Sequence, residues 1–213
     1  IIIVGLLIVS CSKNAPGLME LAQSSLDQNE EDKAIKNLEL LINKFPKDSL
    51  ASLAQYKLVN IYKNWKHDPE MVSNALDKTV KNYSGTIQAK QAAKEIAGFP
   101  EWIINKAETL RKRKLTKESI NNLSYMVKHY PDNLLAAKAQ YIIGDIYMND
   151  LRDFEKAIAE YRLVLDVYKG SKEEALAQFM IGYIYANVIK DFDKARSEYQ
   201  VFLNRFPKHE LYP

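Results

Sequence analysis

The sequence predicts an all-α protein, an α-solenoid of about five helix pairs with one extra irregular helix. Three observations carry this. First, the stretch Ala139 to Tyr168 returns thirty-eight residues later: Gly144, Tyr147, Asp153-Phe154, Lys156-Ala157, Tyr161, Leu165 and Tyr168 fall on Gly182, Tyr185, Asp191-Phe192, Lys194-Ala195, Tyr199, Leu203 and Phe206. A period of this size marks a supersecondary unit too small to bury its own apolar face, which therefore stacks on its neighbours. Second, apolar residues recur at spacings of three and four, as in Ala34, Leu38, Leu41, Ile42 and Phe45, giving one buried stripe at helical period. Third, five segments close on an aromatic residue, at Phe45, Tyr83, Tyr130, Tyr168 and Phe206, with spacings of 38, 47, 38 and 38.

In chain order, Ile1 to Val9 is an uncharged apolar run, too short to span a bilayer, where about 20 residues are needed. It reads as the apolar region of a secretory signal occupying residues 1–10. Ile8-Val9-Ser10-Cys11 resembles the bacterial lipobox, which implies that Cys11, the single cysteine, carries lipid such as palmitate and becomes the mature N-terminus. The end of a truncated transmembrane helix and a buried N-terminal segment with an inert cysteine compete with this reading. Residues 11–17 read as the lipidated cysteine and a linker, and 18–213 as the helical body. Each second helix is expected to stop at its aromatic, because a residue before proline is pushed out of the α region at Phe45, Tyr130 and Phe206.

A second register of 85 residues, 38 plus 47, aligns residues 18–85 with 103–170 without a gap. Pro46 meets Pro131, Ala54-Gln55-Tyr56 meets Ala139-Gln140-Tyr141, and Asn64 meets Asn149. The extra nine residues lie within 87–102, where a helix over 87–97 is broken at Gly98-Phe99-Pro100 and a new one starts near Glu101. Eleven helices are expected, with a bend or altered packing at this break.

Gly144, Tyr147, Ala157 and Tyr161, with Gly182, Tyr185, Ala195, Tyr199 and Pro207, resemble the tetratricopeptide repeat. Glycine inside a helix costs about 1 kcal/mol relative to alanine, so Gly144 and Gly182 imply close approach of another backbone, with Ala157 and Ala195 opposite. The period of 38 exceeds the 34 of that family, which longer turns such as Met148 to Arg152 explain. Val59 stands in for the glycine, and Val72 and Ser119 for the alanine.

Composition narrows the chemistry. A net charge of +3 is too small to announce a nucleic-acid binder, for which a strongly basic face is expected, and one cysteine excludes an internal disulfide or a multi-cysteine metal site. There is no glycine-rich phosphate loop and no Gly-x-Ser-x-Gly elbow. His67, His129 and His209 lack metal-ligand spacing and read as solvated surface residues. The protein is thus read as a non-enzyme with no cofactor and no metal. Asp27, Glu30, Glu31 and Asp32 flank a helix start, where carboxylates suit the dipole. The basic run from Arg111 to Lys114 has two readings: a surface for an acidic partner or lipid head groups, or ordinary charge at a helix end.

What the family resemblance implies is a groove lined by first helices. Its outward positions are Tyr56, Asn60, Lys63 and Asn64; Tyr141, Asp145, Met148 and Asn149; and Phe179, Tyr183 and Asn187. Rings supply contact area and amides meet a peptide backbone. Asn64, Asn149 and Asn187 also fit helix capping, where asparagine tolerates the left-handed conformation. The lipobox, five repeats, aromatic-proline endings and irregular helix together resemble the BamD-like outer-membrane assembly lipoproteins. This implies a scaffold for a protein or peptide partner of the cell envelope, held at the periplasmic face of the bacterial outer membrane through its N-terminal lipid. A periplasmic repeat protein of the Tol-Pal type and the accessory domain of a larger enzyme are the alternatives.

Overall fold

A computed structural model describes residues 14–210; the signal reading at 1–10 and Cys11 lie outside the described residues. Eleven α-helices follow one another, with no strand among the described residues. The chain divides into two compact units at Ala97 and Gly98, the break predicted from sequence.

The first unit holds α1 (Ala15–Asp27), α2 (Glu31–Lys44), α3 (Ser49–Ile61), α4 (Pro69–Asn82) and α5 (Ile87–Ala97). Helices α1 and α2 form one antiparallel pair, α3 and α4 the next, and α5 packs on α4 and α3 as the extra helix. The predicted linker is shorter than expected. The Asn14 side chain accepts the Gly17 N–H at 2.9 Å and Pro16 sits in the first turn, so Ala15 to Gly17 are already helical. Proline is tolerated there because its missing N–H would have no helical partner. The stripe on α2 is buried as its spacing required: Ala34, Leu38 and Leu41 are inaccessible, with Ile42 and Phe45 half-buried against the same cluster. Burying a leucine contributes about 1.5–3 kcal/mol.

The second unit holds α6 (Phe99–Lys112), α7 (Thr116–His129), α8 (Ala136–Ile146), α9 (Phe154–Val167), α10 (Lys172–Tyr183) and α11 (Phe192–Arg205), paired in that order. Helix α6 begins at Phe99 rather than near Glu101, since Gly98 takes the cap position and Pro100 fits the first turn. Phe99 is buried and stacked on Trp102 at 5.2 Å, which anchors the new helix start.

All five second helices stop at the predicted aromatic. The backbone N–H of Phe45, Tyr83, Tyr130, Tyr168 and Phe206 each bonds the carbonyl four residues earlier, at 2.8–3.2 Å, while its own dihedrals have left the helix. Phe45, Tyr130 and Phe206 are followed by proline. Tyr83 and Tyr168 reach the same conformation without one, and Gly85 and Gly170 turn the chain at φ of +90° and +81°.

The extra length of the repeat is not a loop. Three first helices widen at their ends into π turns, π1 (Tyr62–Lys66) after α3, π2 (Tyr147–Leu151) after α8 and π3 (Ile184–Ile189) after α10. Each closes on a left-handed residue, His67, Arg152 or Lys190, and the N–H of Asp153 and Asp191 reaches back six residues to Tyr147 and Tyr185. Helices α1 and α6 end more tightly, through left-handed Asn29 and Lys114 and bonds reaching back five residues.

Candidate partner-binding face

Gly144 and Gly182 do make room, but for a ring and not a backbone. A Cβ on Gly144 would lie 2.8 Å from Cδ1 and Cε1 of Tyr161, and one on Gly182 equally close to Tyr199. Tyr161 is inaccessible to solvent, and its hydroxyl, pushed upward by burial, donates to the Met148 sulfur at 3.9 Å. Ala157 and Ala195 are buried, but the side chain each glycine faces is the tyrosine four residues further on and not the expected alanine.

Of the predicted groove residues, several are occupied inside their own unit. In the first unit the Tyr56 hydroxyl donates to Glu95 on α5, and Lys63 in π1 forms an ion pair with the other oxygen of that carboxylate. Burial alone would raise the Glu95 pKa. Hydrogen bonds from Lys63, Tyr56 and Gln91 outweigh it and hold the carboxyl below its ordinary range. Burial and the same carboxylate push Tyr56 up to about 12. Asn60 and Asn64 are exposed, as is Trp65, a ring that sequence reasoning did not single out.

In the second unit Asp145 is fixed by Arg111, whose Nη1 reaches it at 2.6 Å while Nε reaches Asp150 at 2.5 Å. Burial disfavours the guanidinium charge, but the bonds to Asp150 and Asp145 outweigh it and raise the Arg111 pKa. The basic run is therefore structural at Arg111, whereas Lys112 and Arg113 are exposed. Asn149 donates to the free oxygen of Asp145 at 2.6 Å. Tyr141 lies half-buried against Tyr161 at 5.2 Å, and Phe179 against Tyr199 and Phe202 at 5.5 and 5.7 Å, so these two rings face the helix pair they belong to. Tyr183 is 39% exposed, and Asn187 donates to its carbonyl at 3.2 Å. None of the three asparagines supplies the left-handed cap; His67, Arg152 and Lys190 do, because the π turn displaces that point by three residues.

The structure gathers Met148, Asn149 and Tyr183 around one depression of about 190 Å³, completed by Arg152, Phe154 and Val188. Neither Arg152 nor Val188 was expected there, since only the π turns bring them to this face. Buried glutamines were also missed. Gln140 and Gln178 each donate to the carbonyl and the carboxylate of a glutamate on the paired second helix, Glu160 and Glu198, and Gln55 bonds the Ala75 carbonyl. The recurring Ala-Gln pair was their signal.

His67 is not a solvated surface residue: its left-handed backbone turns the ring inward, where Nδ1 lies 3.2 Å from the Lys63 carbonyl. His129 stacks on Tyr125 at 4.2 Å. Among the described residues there is no group of three or more His, Cys, Asp or Glu placed to hold a metal ion, and no helix is long and apolar enough to cross a membrane.

Three segments match the tetratricopeptide-repeat family model, residues 17–48, 138–171 and 176–209, which cover α1 with α2, α8 with α9, and α10 with α11. The pairs outside the match are those in which Val72 or Ser119 replaces the second-helix alanine. No curated protein matches the chain in sequence. Among solved structures it is similar to MamA, residues 41 to the end, from Desulfovibrio magneticus RS-1, at 18% identity and a TM-score of 0.40, over 93% of this chain and 98% of that one. It is also similar to YrrB, described as a TPR protein with an unusual peptide-binding site, at 16% identity and a TM-score of 0.41, over 94% and 90%. A tetratricopeptide repeat protein from Parabacteroides merdae ATCC 43184 shows 14% identity and a TM-score of 0.37, over 91% and 67%.

Proposed function

We propose that this protein is a tetratricopeptide-repeat scaffold, non-catalytic, that binds a protein or peptide partner, held by lipid on Cys11 at the periplasmic face of a bacterial outer membrane, in the service of outer-membrane protein assembly. The observation that carries the binding reading is the depression around Met148, Phe154, Tyr183 and Val188, rimmed by Asn149 and Arg152. Its volume of about 190 Å³ is below the roughly 300–1,000 Å³ of small-molecule sites. It suits one apolar side chain of a larger partner, with a nearby carboxylate meeting Arg152. The anchor rests on the lipobox-like run ending at Cys11, and anchoring raises the partner's local concentration at the membrane.

Two experiments test the reading. Affinity capture from envelope extract should lose its partner when Tyr183→Ala and Arg152→Ala are combined, both exposed side chains of the depression; capture unchanged by that pair would refute this face. Tyr141 and Phe179 are unsuitable for the purpose, because their rings hold Tyr161 and Tyr199. Metabolic palmitate labelling should mark the wild type and not Cys11→Ala. A wild type without label would sink the anchor and favour a lipid-free periplasmic protein of the Tol-Pal type.

A further inference from the structure

A recess of about 460 Å³ in the first unit lies away from the predicted groove, between the second helices α2 and α4 with α3 as its floor. This volume is within the range of ligand-binding sites. Leu58 and Ala75 are buried at its base, Tyr62 is half-buried, and Met71 stands 46% exposed at one end. One wall is a row on α4, Asn74, Lys78 and Asn82; the other is Glu39 and Asn43 on α2. None of these five side chains makes a hydrogen bond or ion pair with another described residue. The row is also not a requirement of the repeat: the 85-residue register puts Ala159, Leu163 and Val167 at the corresponding positions of α9.

We propose that this recess binds an extended peptide segment whose main chain runs along α4 and whose central acidic side chain meets Lys78. Residues four apart on a helix are separated by about 6 Å along its axis, and an extended chain advances about 6.6–6.8 Å for every two residues. Side chains at Asn74, Lys78 and Asn82 therefore keep step with every second residue of an extended peptide. Each asparagine carboxamide both donates and accepts, so it can pair with the N–H and C=O of one peptide residue, while apolar side chains on the alternate side reach Leu58, Tyr62 and Met71. Lys78, the cation between the two amides, sets the sign of the central residue. Glu39, on the opposite wall, disfavours an acidic residue next along the chain. This site is independent of the depression on the second unit.

The test uses the full chain and an array of acetylated, amidated octapeptides, randomised except for Glu, Gln or Lys at the fourth residue, followed by fluorescence anisotropy on the best binders. Glu peptides are expected to lead the array. Asn74→Ala and Asn82→Ala should each weaken binding about tenfold, the loss of one amide pair. N-methylation of alternate peptide amides should abolish binding while the intervening ones tolerate it, and Lys78→Glu should shift the preference to Lys. Thermal unfolding should stay unchanged, since the substituted side chains are exposed. The proposal is overturned if no peptide binds, or if binding ignores these substitutions and falls with Tyr183→Ala. It is equally overturned if N-methylation has no effect at any position, or if sedimentation shows self-association that Asn74→Ala abolishes, making a second copy the occupant.

Discussion

Gly144→Ala isolates the ring-on-glycine contact between α8 and α9. The added carbon would stand 2.8 Å from two ring atoms of Tyr161, against an optimum of about 3.5–4.0 Å for carbon pairs. Tyr161 is inaccessible, its ring 5.2 Å from that of Tyr141, so it has little room to retreat. Overpacking a filled core costs about 1–3 kcal/mol, while replacing helical glycine by alanine returns about 1 kcal/mol. The net expectation is a loss of roughly 0–2 kcal/mol. The sharper test is a double-mutant cycle with Tyr161→Leu, because the 85-residue register shows the same exchange of volumes within this chain, Val59 for Gly144 and Leu76 for Tyr161, both fully buried. Tyr161→Leu alone leaves a cavity costing about 1–3 kcal/mol. In the Gly144→Ala background the new methyl occupies part of it, so the two changes should couple favourably by about 1 kcal/mol or more. Urea unfolding followed by circular dichroism measures all four corners. Additivity within about 0.5 kcal/mol would refute the ring-on-glycine account.

Other expectations follow from the ties between helices. Arg111→Ala leaves Asp145 and Asp150 without their shared cation and should destabilise the second unit by about 1–3 kcal/mol; Arg111→Lys should recover only part, since one ammonium cannot reproduce the forked geometry. Calorimetry checks both. Glu95 has a folded pKa below its ordinary value of 4.5, so its ties to Lys63 and Tyr56 contribute stability above about pH 4.5 and lose it as pH falls through the folded value. Glu95→Gln should lower the melting temperature at pH 7 and have a progressively smaller effect as pH falls below 4.5, and NMR titration placing the Glu95 carboxyl at or above 4.5 would contradict this. Lys190→Gly should stabilise the chain by about 0.5–1 kcal/mol, because Lys190 holds φ of +63° at a position where a side chain is strained; a loss of stability in urea unfolding would count against it.

The helix pairs are legible in the sequence because their determinants are local and repeated. Proline or glycine follows each terminal aromatic within two residues, and the apolar stripes keep helical period, so the amino-acid pattern alone places the helix ends at Phe45, Tyr83, Tyr130, Tyr168 and Phe206. The π turns are not legible, since one extra residue in a turn leaves composition unchanged and shows only as a longer period. That single omission moved the left-handed residue from Asn64, Asn149 and Asn187 to His67, Arg152 and Lys190, and hid the approach of Arg152 and Val188 to the site. Pairings distant in sequence escape for another reason: Arg111 meets Asp145 across 34 residues, and Tyr56 meets Glu95 across 39, distances at which sequence patterning carries no partner information. Buried Gln140 and Gln178 resemble surface amides in the sequence because burial of a glutamine depends on the acceptor it finds.

The central claim is that a partner docks on the face bearing Tyr183. A photoreactive phenylalanine analogue placed at Tyr183 in growing cells tests it most directly, with the same analogue at Val201, exposed on α11, as the comparison. One discrete crosslinked envelope protein is expected from position 183 and none from 201. Crosslinking from 201 alone, or from neither position while the protein is folded and expressed, would contradict it.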